Sequence, residues 1–330
     1  MDIRKLLWDS ARSDRKRALP ILSFPAAQKL GVSVETLVKS AELQARAMEI
    51  IAHETDTLAA VSLMDLSVEA EAFGAQVRFA PNEVPAIVGQ LVSDEGDANA
   101  LPVPGLSAGR AMLWVEAVRT AKERITDKPV IAGMIGPYSL AGRLCDVTEI
   151  MYLCFDEPET VHTVLDKATQ YLIRYGQAMK TAGADGIMMA EPLTGILSPD
   201  MAAEFSMPYV KRIIAALQDD SFAVIYHNCG NSVPQMLESI YDLGAAAYHF
   251  GNAVDMAAIL ARTPADILAM GNIDPAGEFA GGTVDSITAA TCSLMEKCGS
   301  YPNFLPSSGC DIPAHARWEN IDAFFTALRG

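Results

Sequence analysis

Apolar residues along this chain gather into short unbroken runs, separated by longer stretches in which apolar and polar positions recur with helical spacing. Eight runs are strand-like: 19–24 (LPILSF), 58–64 (LAAVSLM), 128–136 (KPVIAGMIG), 183–191 (GADGIMMAE), 221–227 (SFAVIYH), 244–250 (GAAAYHF), 266–272 (DILAMGN) and 303–309 (NFLPSSG). They are apolar throughout rather than alternating, the pattern of parallel strands covered on both faces. Helical stretches follow most of them: roughly 34–53 with Ser33 as cap, a segment from about Glu149, one opened by Ser198 and Pro199, then 233–243, 255–262, 284–297 and 314–328. Eight strand–helix alternations without a Gly-rich dinucleotide fingerprint predict an α/β fold, a TIM (β/α)8 barrel, rather than an open doubly wound sheet. Residues 1–18 read as an N-terminal helical extension, and the acidic, Pro-containing stretch 93–105 as an inserted loop, so 1–330 is expected to be a single barrel domain. In such barrels chemistry gathers where strands end and turn into helices, which gives polar residues at those ends their weight.

Composition narrows the function. Half of the 330 residues are apolar and a fifth are charged, with a formal net charge of −16. A surface this acidic repels nucleic acid and anionic membrane. The one basic cluster, 12–17 (RSDRKR), is short and reads as a solvated helix face. The first residues have no apolar core of an export signal, no run is long enough to span a bilayer, and six cysteines are too sparse for a disulfide scaffold. The expectation is a cytoplasmic protein with reduced thiols, in which a cysteine with a task does chemistry or holds a metal.

Two candidates stand at one strand end. His227 and Cys229 are two apart in YHNCG, and in extended chain such residues point to the same side. Imidazole and thiolate together suit zinc, although a buried Cys beside a hydrogen-bonded His gives the same spacing. Cys310, in SSGCDIP at the end of the last strand, supplies a third donor, and a His–Cys–Cys set leaves one position open as catalytic zinc sites do. Glu191 ends another strand and is a candidate fourth, displaceable ligand or base, or else a carboxylate capping a loop. Asp65, also at a strand end, is a candidate catalytic residue or a helix N-cap. Arg143 is a candidate cation for an anionic substrate group, or a surface partner of Asp146. Tyr138, His249 and Asn272 are further candidate substrate contacts; His249 also fits a group that supports the ligands from behind, or a satisfied core histidine, and Asn272 a loop brace.

At this point the motifs resemble a known family. MDLSVEAEAFG (64–74), IGPYSLAG (135–142), AGADGIMMAEPLTGILSP (182–199), GNIDP (271–275) and SSGCDIP (307–313) are similar to stretches of the uroporphyrinogen decarboxylase superfamily, over nearly the full chain. The resemblance implies a TIM barrel. The decarboxylases carry an Arg-rich N-terminal motif, and a Tyr, a Ser and a His in the cleft. Here LPILSFPAAQKLG replaces the motif, Arg143 stands at the Tyr position, Pro192 at the Ser position and Cys310 at the His position, and only Asp65 matches. The zinc-dependent methylcobamide:coenzyme M methyltransferase branch has H-x-C followed much later by a Gly-Cys turn, which His227, Cys229 and Cys310 match. That branch implies Zn2+, a methylated corrinoid supplied by a partner corrinoid protein, and transfer of its methyl group to a small thiol such as coenzyme M. The chain has no D-x-H-x-x-G stretch, so the corrinoid is expected on a separate protein. A corrinoid-linked demethylase, transfer to tetrahydrofolate, a decarboxylase and a barrel with purely structural zinc remain alternatives.

Overall fold

The computed structural model describes residues 2–329 and contains nine strands: β1 (Ala60–Val61), β2 (Gln76–Ala80), β3 (Glu83–Val88), β4 (Val130–Ile135), β5 (Gly186–Ala190), β6 (Ala223–Asn228), β7 (Ala247–Phe250), β8 (Ala269–Ile273) and β9 (Phe304–Ser308). Seven of them form one parallel sheet in the order β1-β4-β5-β6-β7-β8-β9, with helices between, so the fold is α/β and TIM-barrel-like. The expected first strand, 19–24, is not regular, yet it holds the ring together. Leu19 N donates to Pro306 O at 3.1 Å on one edge, and Leu58 N donates to Ala18 O at 2.8 Å on the other. The eighth position of the barrel is therefore an irregular strap between the β9 and β1 edges.

Strand parity sorts the side chains. Ile131, Met188, Ile225, Ala247, Met270 and Leu305 pack together inside the ring with Leu19 and Ile21, whereas Val130, Tyr226, Tyr248 and Phe304 pack outward against the helices. Both faces are covered, which is why the strand runs are apolar without alternation. The N-terminal extension is a helix, Ile3–Arg12, capped by Asp2. Its Ile3, Leu7 and Ala11, spaced i, i+4, i+8, are wholly buried and belong to the interior cluster, so this helix packs against the barrel's inner core.

Other expectations shift in detail. The helix expected over 34–53 is two, Val34–Val38 and Ala41–Glu54, because Ser40 caps the second by accepting from Leu43 N at 3.3 Å. The insert at 93–105 contains a helical turn, Glu95–Ala100, capped by Asp94. The hairpin β2–β3 lies between the first two barrel strands and was not expected. No helix among the described residues is long and apolar enough to cross a membrane.

Behind the β4 strand, Glu69 is fully buried. Its Oε1 accepts from Ile135 N at 3.0 Å, and its Oε2 has no partner, as is also true of the buried Tyr171 and Tyr175 hydroxyls. Burial pushes the Glu69 carboxyl from 4.5 up to about 7, against the hydrogen bond from Ile135. The folded chain thus holds a proton there that the unfolded chain has released, so stability falls as pH rises from about 4.5 through 7. Glu69→Gln is expected to flatten that decline in urea melts taken across this window; an unchanged slope would show that Glu69 ionises normally.

Candidate metal centre

The same parity that builds the interior places the chemistry. On β6, Ala223 and Ile225 face inward, so His227 faces inward one layer higher; on β7, Ala247 is followed by His249, and on β9, Leu305 by Ser307. The parallel register sets His227 directly beside His249. The rings sit edge to face with centroids 4.7 Å apart, and the two Nδ1 atoms lie 2.8 Å from each other. His249 Nε2 lies 2.7 Å from Ser307 Oγ.

His227, Cys229 and Cys310 offer one donor atom each, all within 4.8 Å of one another. Cys229 follows β6 by one residue, and Cys310 follows β9 by two. A tetrahedral zinc with Zn–S near 2.3 Å and Zn–N near 2.0–2.1 Å sets an S···N edge of about 3.6 Å. The Cys310 Sγ···His227 Nε2 separation is 3.5 Å. An imidazole and two thiols gathered within 4.8 Å of one another suit zinc. His227 is buried while both cysteines keep partial exposure, so the accessible side of the trio is its sulfur side. The two thiols share charge unequally. The hydrogen bond from Cys310 draws Cys229 well below the usual thiol range, with His227 assisting, and Cys310 is raised because it holds the proton beside that thiolate. A site that already stabilises one thiolate is electrostatically suited to a soft cation.

Close backbone contacts fix the cysteine loop. A Cβ on Gly251 would lie 2.6 Å from both Cα and Cβ of Cys229, and Gly195 and Gly230 approach each other too closely for either to carry a side chain. Gly251→Ala is expected to push Cys229 out of place and weaken zinc binding by about 10- to 100-fold while leaving the fold intact, since outer groups that orient ligands carry effects of that size. Chelator competition with circular dichroism as control checks it; unchanged affinity would show that the loop is not held by this contact.

The remaining candidates sit elsewhere or are already engaged. Glu191 is fully buried outside the trio. Its carboxylate accepts from Ser139 N at 2.6 Å, at the start of helix Pro137–Cys145, and from Thr194 Oγ1 at 3.3 Å. Burial pushes it up to about 7, and those hydrogen bonds oppose the rise. Asp65 accepts from Ser67 N at 3.0 Å and from Arg110 Nη1 at 2.7 Å, bracing the turn into helix Val68–Ala72 rather than capping it. Arg143 does not pair with Asp146, which caps helix Val147–Asp156 instead. Burial lowers Arg143, with Asp65 acting in the opposite sense. Three expected substrate contacts are engaged within the chain. Tyr138 is wholly buried with its hydroxyl against Met151 Sδ and Cys154 Sγ, His249 is wholly buried behind His227, and Asn272 commits its amide nitrogen to Gly251 O and Val254 O.

Sequence reading missed Arg110, which also bonds Glu71 at 2.6 Å and Ser67 at 2.8 Å and lies 4.8 Å from the Phe79 ring. It missed Ser307 as well, although the inward parity of the last strand points to it. Asp311, next to Cys310, is raised well above its ordinary range by burial, and its Oδ1 has no partner.

Known proteins share this architecture. The chain is 28% identical over 289 residues to the uroporphyrinogen decarboxylase of Psychromonas ingrahamii, covering 83% of this chain and 78% of the relative. It is also 28% identical over 292 residues to a methylcobamide:CoM methyltransferase of Methanosarcina barkeri, covering 87% and 84%. A solved methyltransferase structure from Methanosarcina mazei superimposes with a TM-score of 0.87 over 99% of this chain and 97% of that one, at 23% identity, and so shares the fold. The uroporphyrinogen decarboxylase (URO-D) family model matches residues 17–330, nearly the whole chain, and the protein belongs to the uroporphyrinogen decarboxylase family.

Proposed function

We propose that this chain is a zinc-dependent methyltransferase that passes a methyl group from a methylated corrinoid, carried by a partner corrinoid protein, to a small thiol such as coenzyme M. The observation that carries the reading is the convergence of His227, Cys229 and Cys310 within 4.8 Å at the ends of two barrel strands. The methylcobamide:CoM methyltransferase relatives support it by name. The decarboxylase relatives match as well, but a trio of soft donors has no task in a metal-free decarboxylation.

Zinc bound there would lower the pKa of a coordinated thiol so that it is a thiolate at neutral pH. His227, Cys229 and Cys310 would hold it and leave the fourth position to the acceptor sulfur. Two cysteine thiolates offset the charge of the dication, which keeps an added thiolate nucleophilic. Arg143 is the cation proposed for the anionic end of the acceptor, since its neighbour Asp65 is already taken by Arg110. Glu191, raised to about 7 and buried outside the trio, is proposed to take up the proton released when the thiol binds. Asp65 is proposed to keep the Arg110 side of the cleft in place during catalysis.

The test is an assay of zinc-loaded protein with methylcobalamin and a panel of thiols, with tetrahydrofolate and a porphyrinogen as rival substrates. Loss of the methyl group to a thiol supports the proposal. Turnover of the porphyrinogen, or methyl transfer to folate alone, contradicts it.

A further inference from the structure

Behind His227 lies a chain of polar groups whose proton order can be worked out from one fixed end. The Leu19 carbonyl oxygen only accepts, so the Ser307 hydroxyl, 2.7 Å away, donates to it. Ser307 has one proton, and with that spent its oxygen accepts from His249 Nε2, also 2.7 Å away. His249 therefore carries its proton on Nε2 and a lone pair on Nδ1. His227 Nδ1 lies 2.8 Å from that lone pair and must donate to it. This leaves His227 Nε2, the nitrogen 3.5 Å from Cys310 Sγ, to face the trio. The reverse order would set lone pairs of Ser307 and Leu19 against each other at 2.7 Å. Leu19, Ser307, His249 and His227 are all buried, so no solvent water substitutes for a missing link.

From this we infer that His249 and Ser307 are positioning residues, which act through His227 to fix the ring orientation and the tautomer that binds metal through Nε2. The order is anchored at Leu19, in the irregular strap that closes the barrel, so a segment without regular structure has a defined part in the site. The inference takes the identity of the ion from the zinc reading above, whereas the proton order belongs to the fold and can be measured without metal. It also explains why His249, expected as a substrate contact, is wholly buried: a ligating imidazole that donates its second N–H to a buried acceptor is held in one orientation and made more basic.

Nitrogen-15 NMR of the five histidines, assigned with single variants, reads the order directly. His227 is expected with a protonated Nδ1 and His249 with a protonated Nε2 in metal-free wild-type protein, and both states persist on zinc loading. Chelator competition reads the consequence. His249→Phe removes the acceptor and is expected to weaken zinc binding by about 10- to 100-fold. His249→Gln, whose amide can accept from His227 and donate to Ser307, is expected to regain most of that loss, and Ser307→Ala to fall between the two. An unprotonated His227 Nδ1 in the wild-type protein overturns the inference whatever the variants do. So does wild-type zinc affinity in a folded His249→Phe. If wild-type protein binds no zinc, the functional reading fails separately, and the metal-free spectrum still decides the proton order.

Discussion

Cys310→Ser is expected to lower zinc affinity by on the order of 10²- to 10³-fold and to abolish methyl transfer to thiol, with the barrel still folded. The size follows from sharing the roughly 10–16 kcal/mol of a four-ligand zinc site among its donors, which gives about 2.5–4 kcal/mol for one thiolate. The fold survives because Cys310 lies two residues beyond β9, keeps partial exposure and is absent from either apolar cluster. Its side chain meets only Cys229 and His227 among the groups that matter for the site. Metal content after dialysis and a thermal melt, taken together, check the claim. A variant that keeps its zinc would place the ion elsewhere. A variant that unfolds on losing it would point to a structural metal, since zinc that decides the fold contributes its binding energy to stability.

The second large effect lies beside the site. Arg110→Ala is expected to destabilise the protein by about 3–5 kcal/mol, because it leaves the buried Asp65 carboxylate without its counter-ion. Asp65 has no exposed side-chain surface and Arg110 keeps only 8% of its own, so water replaces little of the lost pairing. The guanidinium reaches Asp65, Glu71 and Ser67 at once and lies against Phe79 of the hairpin β2–β3, so its loss also frees that hairpin. Arg110→Lys is expected to recover only part of the stability, since an ammonium cannot match a fork of three acceptors. For a chain of this length the alanine variant should melt about 4–7 °C lower. A shift of under about 1 °C would show that Asp65 is held by something else.

Much of the barrel was legible because its strands are buried on both faces and so write themselves as apolar runs; seven of the eight expected runs carry a strand of the ring. The run at 19–24 was placed correctly in the ring but not in conformation. Pro20 inside the run and Pro25 just after it remove backbone donors, and a strap with few ladder bonds results. The hairpin β2–β3 was not expected because its strands sit at the edge of the core, exposed or half-buried save for Pro85, although Val77 and Phe79 alternate with polar neighbours before a two-residue Pro-Asn turn.

The convergence of His227, Cys229 and Cys310 was legible because they sit at strand ends, and the first two have a spacing that extended chain brings to one side. The sequence shows that His249 lies at a strand end, which fits a substrate contact, a group behind a ligand or a core histidine, and not that β6–β7 register sets it behind His227. The placement of Tyr138 was not legible for a similar reason: it follows a strand end in sequence, but the helix Pro137–Cys145 buries it. Arg110 could not be found from its neighbours, because its partners Asp65, Ser67 and Glu71 lie some forty residues earlier and meet it only in the folded chain.

The most direct measurement is zinc K-edge X-ray absorption on the purified protein, before and after addition of a thiol acceptor. The account predicts one zinc per chain with two sulfur and two lighter ligands, changing to three sulfurs when the thiol binds. Protein that takes up no zinc, or a sulfur count that the thiol leaves at two, would contradict it.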